Sequence, residues 1–135
     1  MLLCSLLSAV FLLAQQAGSG PHLERFVVET FEPLRYPPLA HQARVSGTVI
    51  LRVIVDASGK VTQASSLTGH PLLNAASEQN IRTWRFRQNK KGGETYVAYF
   101  FELDNGVCGM PCQSSFILKN SNQAHIRIGL PDINE

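Results

Sequence analysis

The stretch that most constrains this chain is Gly47–Asp56, GTVILRVIVD, a run dominated by β-branched side chains. Their stiff χ1 rotamers crowd the preceding turn of a helix and pack well on a pleated surface, so the run is expected to be a strand. With a period of two, Val49, Leu51, Val53 and Val55 share one face, and Ile50, Arg52 and Ile54 the other. Asp56-Ala57-Ser58-Gly59 is turn chemistry, and Val61–Leu67 returns as a more polar strand, which makes a β-hairpin. A hairpin alone is marginal in water, so other elements must cover its apolar face.

Candidates for that cover lie on both sides. Phe26–Phe31 (FVVETF) is a short strand-like lead-in, ended by Pro33, Pro37 and Pro38. Pro38 suits the first position of a short helix over Pro38–Arg44, because a proline there forfeits no hydrogen bond. Gly69-His70-Pro71 punctuates the chain ahead of a second helix, Pro71 to Trp84, with Leu73, Ala76, Asn80 and Trp84 on one stripe flanked by Leu72 and Ile81. Asn80 is the odd member; a buried amide needs partners, so it is expected at the stripe's margin or bonded to backbone. Tyr96–Leu103 (YVAYFFEL) follows as a third strand, with Val97, Tyr99, Phe101 and Leu103 on one face. This order predicts an α+β fold, a small antiparallel sheet with two helices packed on one face. Ser115–Lys119 and His125–Leu130 read as two further short strands that extend the sheet.

Length and composition narrow the classes. The 135 residues allow one domain, and 44% hydrophobic content is enough to bury a core. A net charge of +2 is too mild to make nucleic acid the expected partner. Met1–Ala14 (MLLCSLLSAVFLLA) is uncharged, and as a helix would reach only ~21 Å, short of a bilayer's hydrocarbon core. A secretory signal peptide over residues 1–17 is expected, with a short retained anchor, and hence an inner-membrane tether, as the alternative. Cys4 precedes rather than follows the apolar stretch, which argues against a lipoprotein. Residues 18–35 are then a lead-in, 36–104 the domain, and 105–135 a cysteine-containing loop with a β extension.

After removal of the leader, Cys108 and Cys112 remain, an even pair in an oxidising compartment. A local disulfide is the reading adopted for this C-x3-C pair. Free thiols, or a soft-metal or redox site suited to Cu(I), stand beside it. Arg82, Arg85, Arg87, Lys90 and Lys91 cluster after the second helix and read as cations complementing its carboxyl end rather than an anion-binding patch. His70, between Gly69 and Pro71, reads as a turn or cap residue. Nucleophile-elbow, zinc-protease and P-loop motifs do not occur, and no paired carboxylates stand at a plausible spacing. An enzyme, a cofactor and a small-molecule substrate are therefore not expected.

Tyr36-Pro37, Gly47-Thr48-Val49, Val55-Asp56, Gly59-Lys60-Val61, Gly69-His70-Pro71, Leu73, Trp84-Arg85-Phe86 and the aromatic strand Tyr96–Leu103 occur in that order. Through this set, residues 36–104 resemble the carboxy-terminal domain of the TonB family, with departures at Asn80 and Gln88, where that family usually has alanine and proline. The resemblance implies a periplasmic protein-binding module of the Gram-negative envelope, in a family of energy transducers for transport through outer-membrane receptors. It implies that an extended receptor peptide pairs with the edge of the last strand by β-augmentation, here Tyr96, Val97, Ala98, Tyr99, Phe100, Phe101 and Glu102. Energy transduction by this chain alone is not expected, because the family's membrane helix and long stiff spacer are not seen in the sequence. A homodimer formed through the same edge is a further possibility, and the sequence leaves open whether that edge is free or covered by residues 115–130.

Overall fold

The structure, a computed structural model, describes residues 26–109 and 111–133. The expected leader, its cleavage point and Cys4 lie outside the described residues. No helix among the described residues is long and apolar enough to cross a membrane.

Among the described residues nine elements follow in order: β1 Val28–Thr30, α1 Pro38–Gln42, β2 Gly47–Val55, β3 Val61–Thr68, α2 Pro71–Ile81, β4 Arg85–Phe86, β5 Gly93–Val107, β6 Ser115–Asn120 and β7 Gln123–Leu130. Five strands form one sheet in the order β3-β2-β5-β7-β6, and β1 pairs with β4 in a small second ladder. The architecture is the expected α+β one, with one correction. The sheet is mixed rather than antiparallel, because β7 runs parallel to β5 while the other neighbours are antiparallel.

The alternation read in β2 holds: Val49, Leu51, Val53 and Val55 are at most 1% exposed, whereas Arg52 is exposed. Facing residues from the sheet's other strands, Val97, Tyr99, Phe101, Ala124, Ile126 and Ile128, join them in one core with Leu73, Ile81, Trp84, Phe86, Tyr36 and Ala40. Both helices thus contribute to the layer that covers the inner face. Gly59 closes the β2–β3 turn at φ +90°, and a Cβ there would lie 1.8 Å from the Phe86 carbonyl oxygen. Only glycine satisfies both constraints. The Asp56 carboxylate accepts from the Ser58 hydroxyl and from the Ser58 and Lys60 amides, which holds its pKa below the usual carboxylate value.

Helix α2 stops at Ile81, three residues before the expected end. The Thr83 amide bonds to the Asn80 carbonyl and the Trp84 amide to that of Ile81, tightening the exit so that Trp84 turns into the core. Its buried face is Leu73, Ser77, Asn80 and Ile81 rather than the expected stripe through Ala76; Ser77 is accommodated because its hydroxyl donates to the Leu73 carbonyl. Asn80 is buried rather than at the stripe's margin, and it is bonded to backbone, the other arrangement expected of it. Its Nδ2 donates to the Glu32 carbonyl (2.8 Å), and its Oδ1 accepts from Trp84 Nε1 (3.1 Å) and the Tyr99 hydroxyl (2.8 Å).

Burial raises the Tyr36 pKa to about 12 and that of Tyr99 well above its ordinary value. Unfolding returns both phenols to ordinary values near ~10. Above that pH the unfolded chain loses protons that the folded one keeps, so stability is full below pH ~10 and falls as pH rises beyond it. The expected slope is up to ~1.4 kcal/mol per pH unit for each tyrosine. Urea midpoints measured from pH 8 to 11.5, with the Tyr99→Phe variant showing a shallower decline, check this.

Candidate functional site

Both sides of β5 are occupied within the chain. On one side Gly93–Phe101 pair with β2; on the other Ala98–Asp104 pair with Gln123–Gly129 of β7. Tyr96, Val97, Ala98, Tyr99, Phe100, Phe101 and Glu102 are thus corrected as a partner-binding edge: of the two possibilities the sequence leaves open, the carboxy-terminal extension covers this strand, which lies in the middle of its sheet. β7 fits there because Ala124, Ile126 and Ile128 are apolar on one face and fill the core beside Tyr99 and Phe101. Its outer face is matched as well. His125 stacks on Phe100 with ring centroids 4.6 Å apart, and Arg127 pairs with Glu102 and Asp104. Asn122 secures the entry to β7, donating from Nδ2 to the Tyr96 carbonyl (2.7 Å) and to Thr95 Oγ1 (3.1 Å), while its carbonyl accepts from the Ala98 amide (2.8 Å).

The sheet's own edges are β3 and β6. β3 is blunted: the Ser66 amide and hydroxyl both donate to the Glu78 carboxylate of α2, which also lowers the Glu78 pKa, and its register with β2 shifts twice. β6 is the plainer edge. Phe116 and Leu118 pack inward against the core, and Ser115, Ile117 and Lys119 face out, with Ile117 51% exposed. The short length of β6 and its lysine are features that discourage indiscriminate edge pairing.

Beyond the end of β7 lies the cysteine corner. Cys108 and Cys112 are joined by a disulfide with Cα atoms 5.3 Å apart, and the Cys108 amide bonds to the Leu130 carbonyl. His41, in α1, donates from Nε2 to the Gly129 carbonyl at 2.7 Å. An open pocket of about 650 Å³ lies beside them, lined by residues that include Arg35, Tyr36, His41, Cys112 and Ile128. His41 carries no sequence signal for this position, standing 67 residues from Cys108 and outside any metal-ligand spacing. Asn122 is also invisible as a clamp, because only the fold brings it to Tyr96.

The remaining candidates have structural surroundings. Tyr36 is buried, its hydroxyl donating to the Val45 carbonyl, with Pro37 at the N-cap of α1. Gly47 and Asp56 bound β2. His70 is the N-cap of α2, its Nδ1 accepting from the Leu72 amide, and Pro71 begins that helix. Trp84 and Phe86 sit in the core with ring centroids 6.2 Å apart. Arg85 donates to the carbonyls of Arg82 and Trp84 just past the end of α2, and Arg87 lies 3.6 Å from Glu29.

Residues 32–103 match the family model described as Gram-negative bacterial TonB protein C-terminal. The chain is also 37% identical over 68 residues to the proteins named Protein TonB of two Xanthomonas campestris pv. campestris strains, B100 and ATCC 33913. That similarity covers 49% of this chain but 30% of each relative, so the chain spans less than a third of the length of the curated relatives it matches. The matched region contains α1, β2, β3, α2, β4 and most of β5, in the order and with the packing described above, whereas β6, β7, Cys108 and Cys112 lie beyond it. The chain belongs to the Gram-negative bacterial TonB protein C-terminal family.

Proposed function

We propose that this chain is an exported, non-enzymatic interaction module of the Gram-negative envelope that takes up an extended segment of a transport-linked envelope protein by strand addition at the outer edge of β6. Family membership supports the envelope role. Export to the periplasm is supported by the apolar, uncharged leader sequence and by a cysteine pair joined as a disulfide. The observation that carries the binding mode is the docking of β7: the sheet grows outward past β5 by accepting an extended segment, and β6 is its final strand.

Energetics favour β6 over displacement of β7. Expelling β7 would expose Ile126 and Ile128, at ~1.5–3 kcal/mol each, before any ladder hydrogen bond is counted. Addition at β6 breaks no strand pairing already made, although the lead-in lies close by, its Val28 and Tyr36 amides donating to Ser121 and Ser114 at the two ends of β6. Each new edge hydrogen bond contributes about 0.5–1.5 kcal/mol.

Photo-crosslinking amino acids placed at Ser115 or Lys119 in living Gram-negative cells should give a discrete adduct with an envelope protein, whereas Gln63 on β3 should not. Ile117→Lys adds charge to the edge and should abolish the Lys119 adduct, while stability changes by no more than ~0.5 kcal/mol because the site is exposed. Adducts only at Gln63, adducts that survive Ile117→Lys, or none at all would overturn the β6 assignment. Adducts only between copies of the chain would make β6 a homodimer edge instead.

A further inference from the structure

The cysteine corner gathers three metal-ligating side chains from distant parts of the sequence. His41 Nε2 lies 3.9 Å from Cys108 Sγ and 4.0 Å from Cys112 Sγ, and the three donor atoms all fall within 4.8 Å of one another. Each residue is half-buried, and the adjoining pocket, lined in part by His41 and Cys112, gives an ion a way in. We propose that, once the disulfide is reduced, Cys108, Cys112 and His41 hold one thiophilic cation, Cu(I) in preference to Zn(II).

The spacing suits one ion. Bonds of about 2.3 Å to sulfur and 2.0 Å to nitrogen set the sulfur–nitrogen separation around one metal at roughly 3.5–3.8 Å. The separations of 3.9 and 4.0 Å are already close to this, so the imidazole needs little movement. The two sulfurs must part to roughly 3.8 Å, a side-chain rotation for residues whose Cα atoms stand 5.3 Å apart. Two thiolates and one imidazole form a soft, three-donor set, which suits Cu(I). Zn(II) would need a fourth ligand to complete its tetrahedron.

The chemistry balances with a dithiol as reductant. One of its thiolates attacks a sulfur of the Cys108–Cys112 bond, a mixed disulfide forms, and the second thiolate resolves it. The reductant leaves as its own disulfide, having given two electrons and two protons, and the protein holds two thiols. Metal binding then releases those two protons as the thiolates form. His41 changes its role in the same event. In the disulfide form its Nε2 proton is held by the Gly129 carbonyl; ligation requires the neutral tautomer with the proton on Nδ1, so that hydrogen bond is exchanged for a metal bond. Oxidation of the pair would reverse the sequence, making ion release redox-gated.

The test uses the purified exported protein, reduced anaerobically with a phosphine and titrated with Cu(I) against a chromogenic Cu(I) chelator, and in parallel with Zn(II). One Cu(I) per chain is expected, with a two-sulfur, one-nitrogen shell by X-ray absorption, and none for the oxidised protein. His41→Asn removes a direct ligand and should weaken retention by at least the roughly 10-fold that loss of a mere ligand-orienting partner costs. Cys108→Ser/Cys112→Ser should abolish it, and Cu(I)-dependent protection of both thiols from alkylation in the unsubstituted protein gives the same answer if the serine variant does not fold. The proposal is overturned if reduced protein holds no more Cu(I) than the serine variant or leaves both thiols open to alkylation. It is overturned equally if His41→Asn retains copper unchanged, or if Zn(II) outcompetes Cu(I).

Discussion

Chains carrying Ile126→Asp are expected to lose cooperative folding, whereas Ile117→Asp on the neighbouring strand should shift stability by no more than ~0.5 kcal/mol. Ile126 is fully buried, opposite Phe101 on β5 and Phe116 on β6. Removing its side chain forfeits ~1.5–3 kcal/mol of burial, and placing a carboxylate in the same apolar space adds a penalty of several kcal/mol. The sum is comparable with the whole stability of a small domain, about 5–15 kcal/mol. Ile117 occupies the outward face, where water reaches it. Urea titrations followed by the fluorescence of Trp84, the single tryptophan, separate the two cases. One result would change the functional picture. If Ile126→Asp stays folded while the amides of residues 98–104 begin to exchange with solvent, β7 is a displaceable strand, and the edge of β5 becomes available to a partner peptide.

The position of β5 marks the limit of what its sequence encodes. YVAYFFEL alternates well enough to specify a strand and its inner face, as GTVILRVIVD does for β2, because alternation is a local property. Which strand lies alongside is not local. β7 shows the same two-faced pattern, Ala124, Ile126 and Ile128 against His125 and Arg127, and that pattern suits a central or a terminal place equally. The β6–β7 hairpin decides the matter: with β6 outermost, the Asn120–Gln123 turn brings β7 back beside β5 and parallel to it. The cysteine corner divides in the same way. The C-x3-C spacing is visible in the sequence, but the histidine beside it arrives only through the packing of α1 against the end of β7. The end of α2 is hidden for a related reason: Trp84 continues the helical period, yet its indole is held inside the core by Asn80, a tertiary bond that periodicity does not contain.

Asn80→Leu, nearly equal in volume, is expected to destabilise the protein by about 2–6 kcal/mol. The wild-type amide serves three groups: the Glu32 carbonyl of the lead-in, the Trp84 indole N–H, and the Tyr99 hydroxyl on β5. Leucine keeps the packing and leaves the Trp84 N–H and the Tyr99 hydroxyl buried without a partner, at ~1–3 kcal/mol each, whereas Glu32 is exposed and water can take up its carbonyl. Those partners belong to segments that must stay in register if β5 is to present its backbone to β2 and β7, so Asn80 couples the lead-in, α2 and the sheet in one network. A double-mutant cycle isolates that coupling. Tyr99→Phe removes one orphaned hydroxyl, so in the Asn80→Leu background it should cost at least ~1 kcal/mol less than in the wild type. Both measurements come from urea unfolding at neutral pH, where the two tyrosine pKa values play no part. If Asn80→Leu costs less than ~1 kcal/mol and the cycle shows no coupling, water satisfies these groups when the amide is gone. The hub role would then be lost, and the burial of Trp84 and Tyr99 alone would have to hold α2 to the sheet.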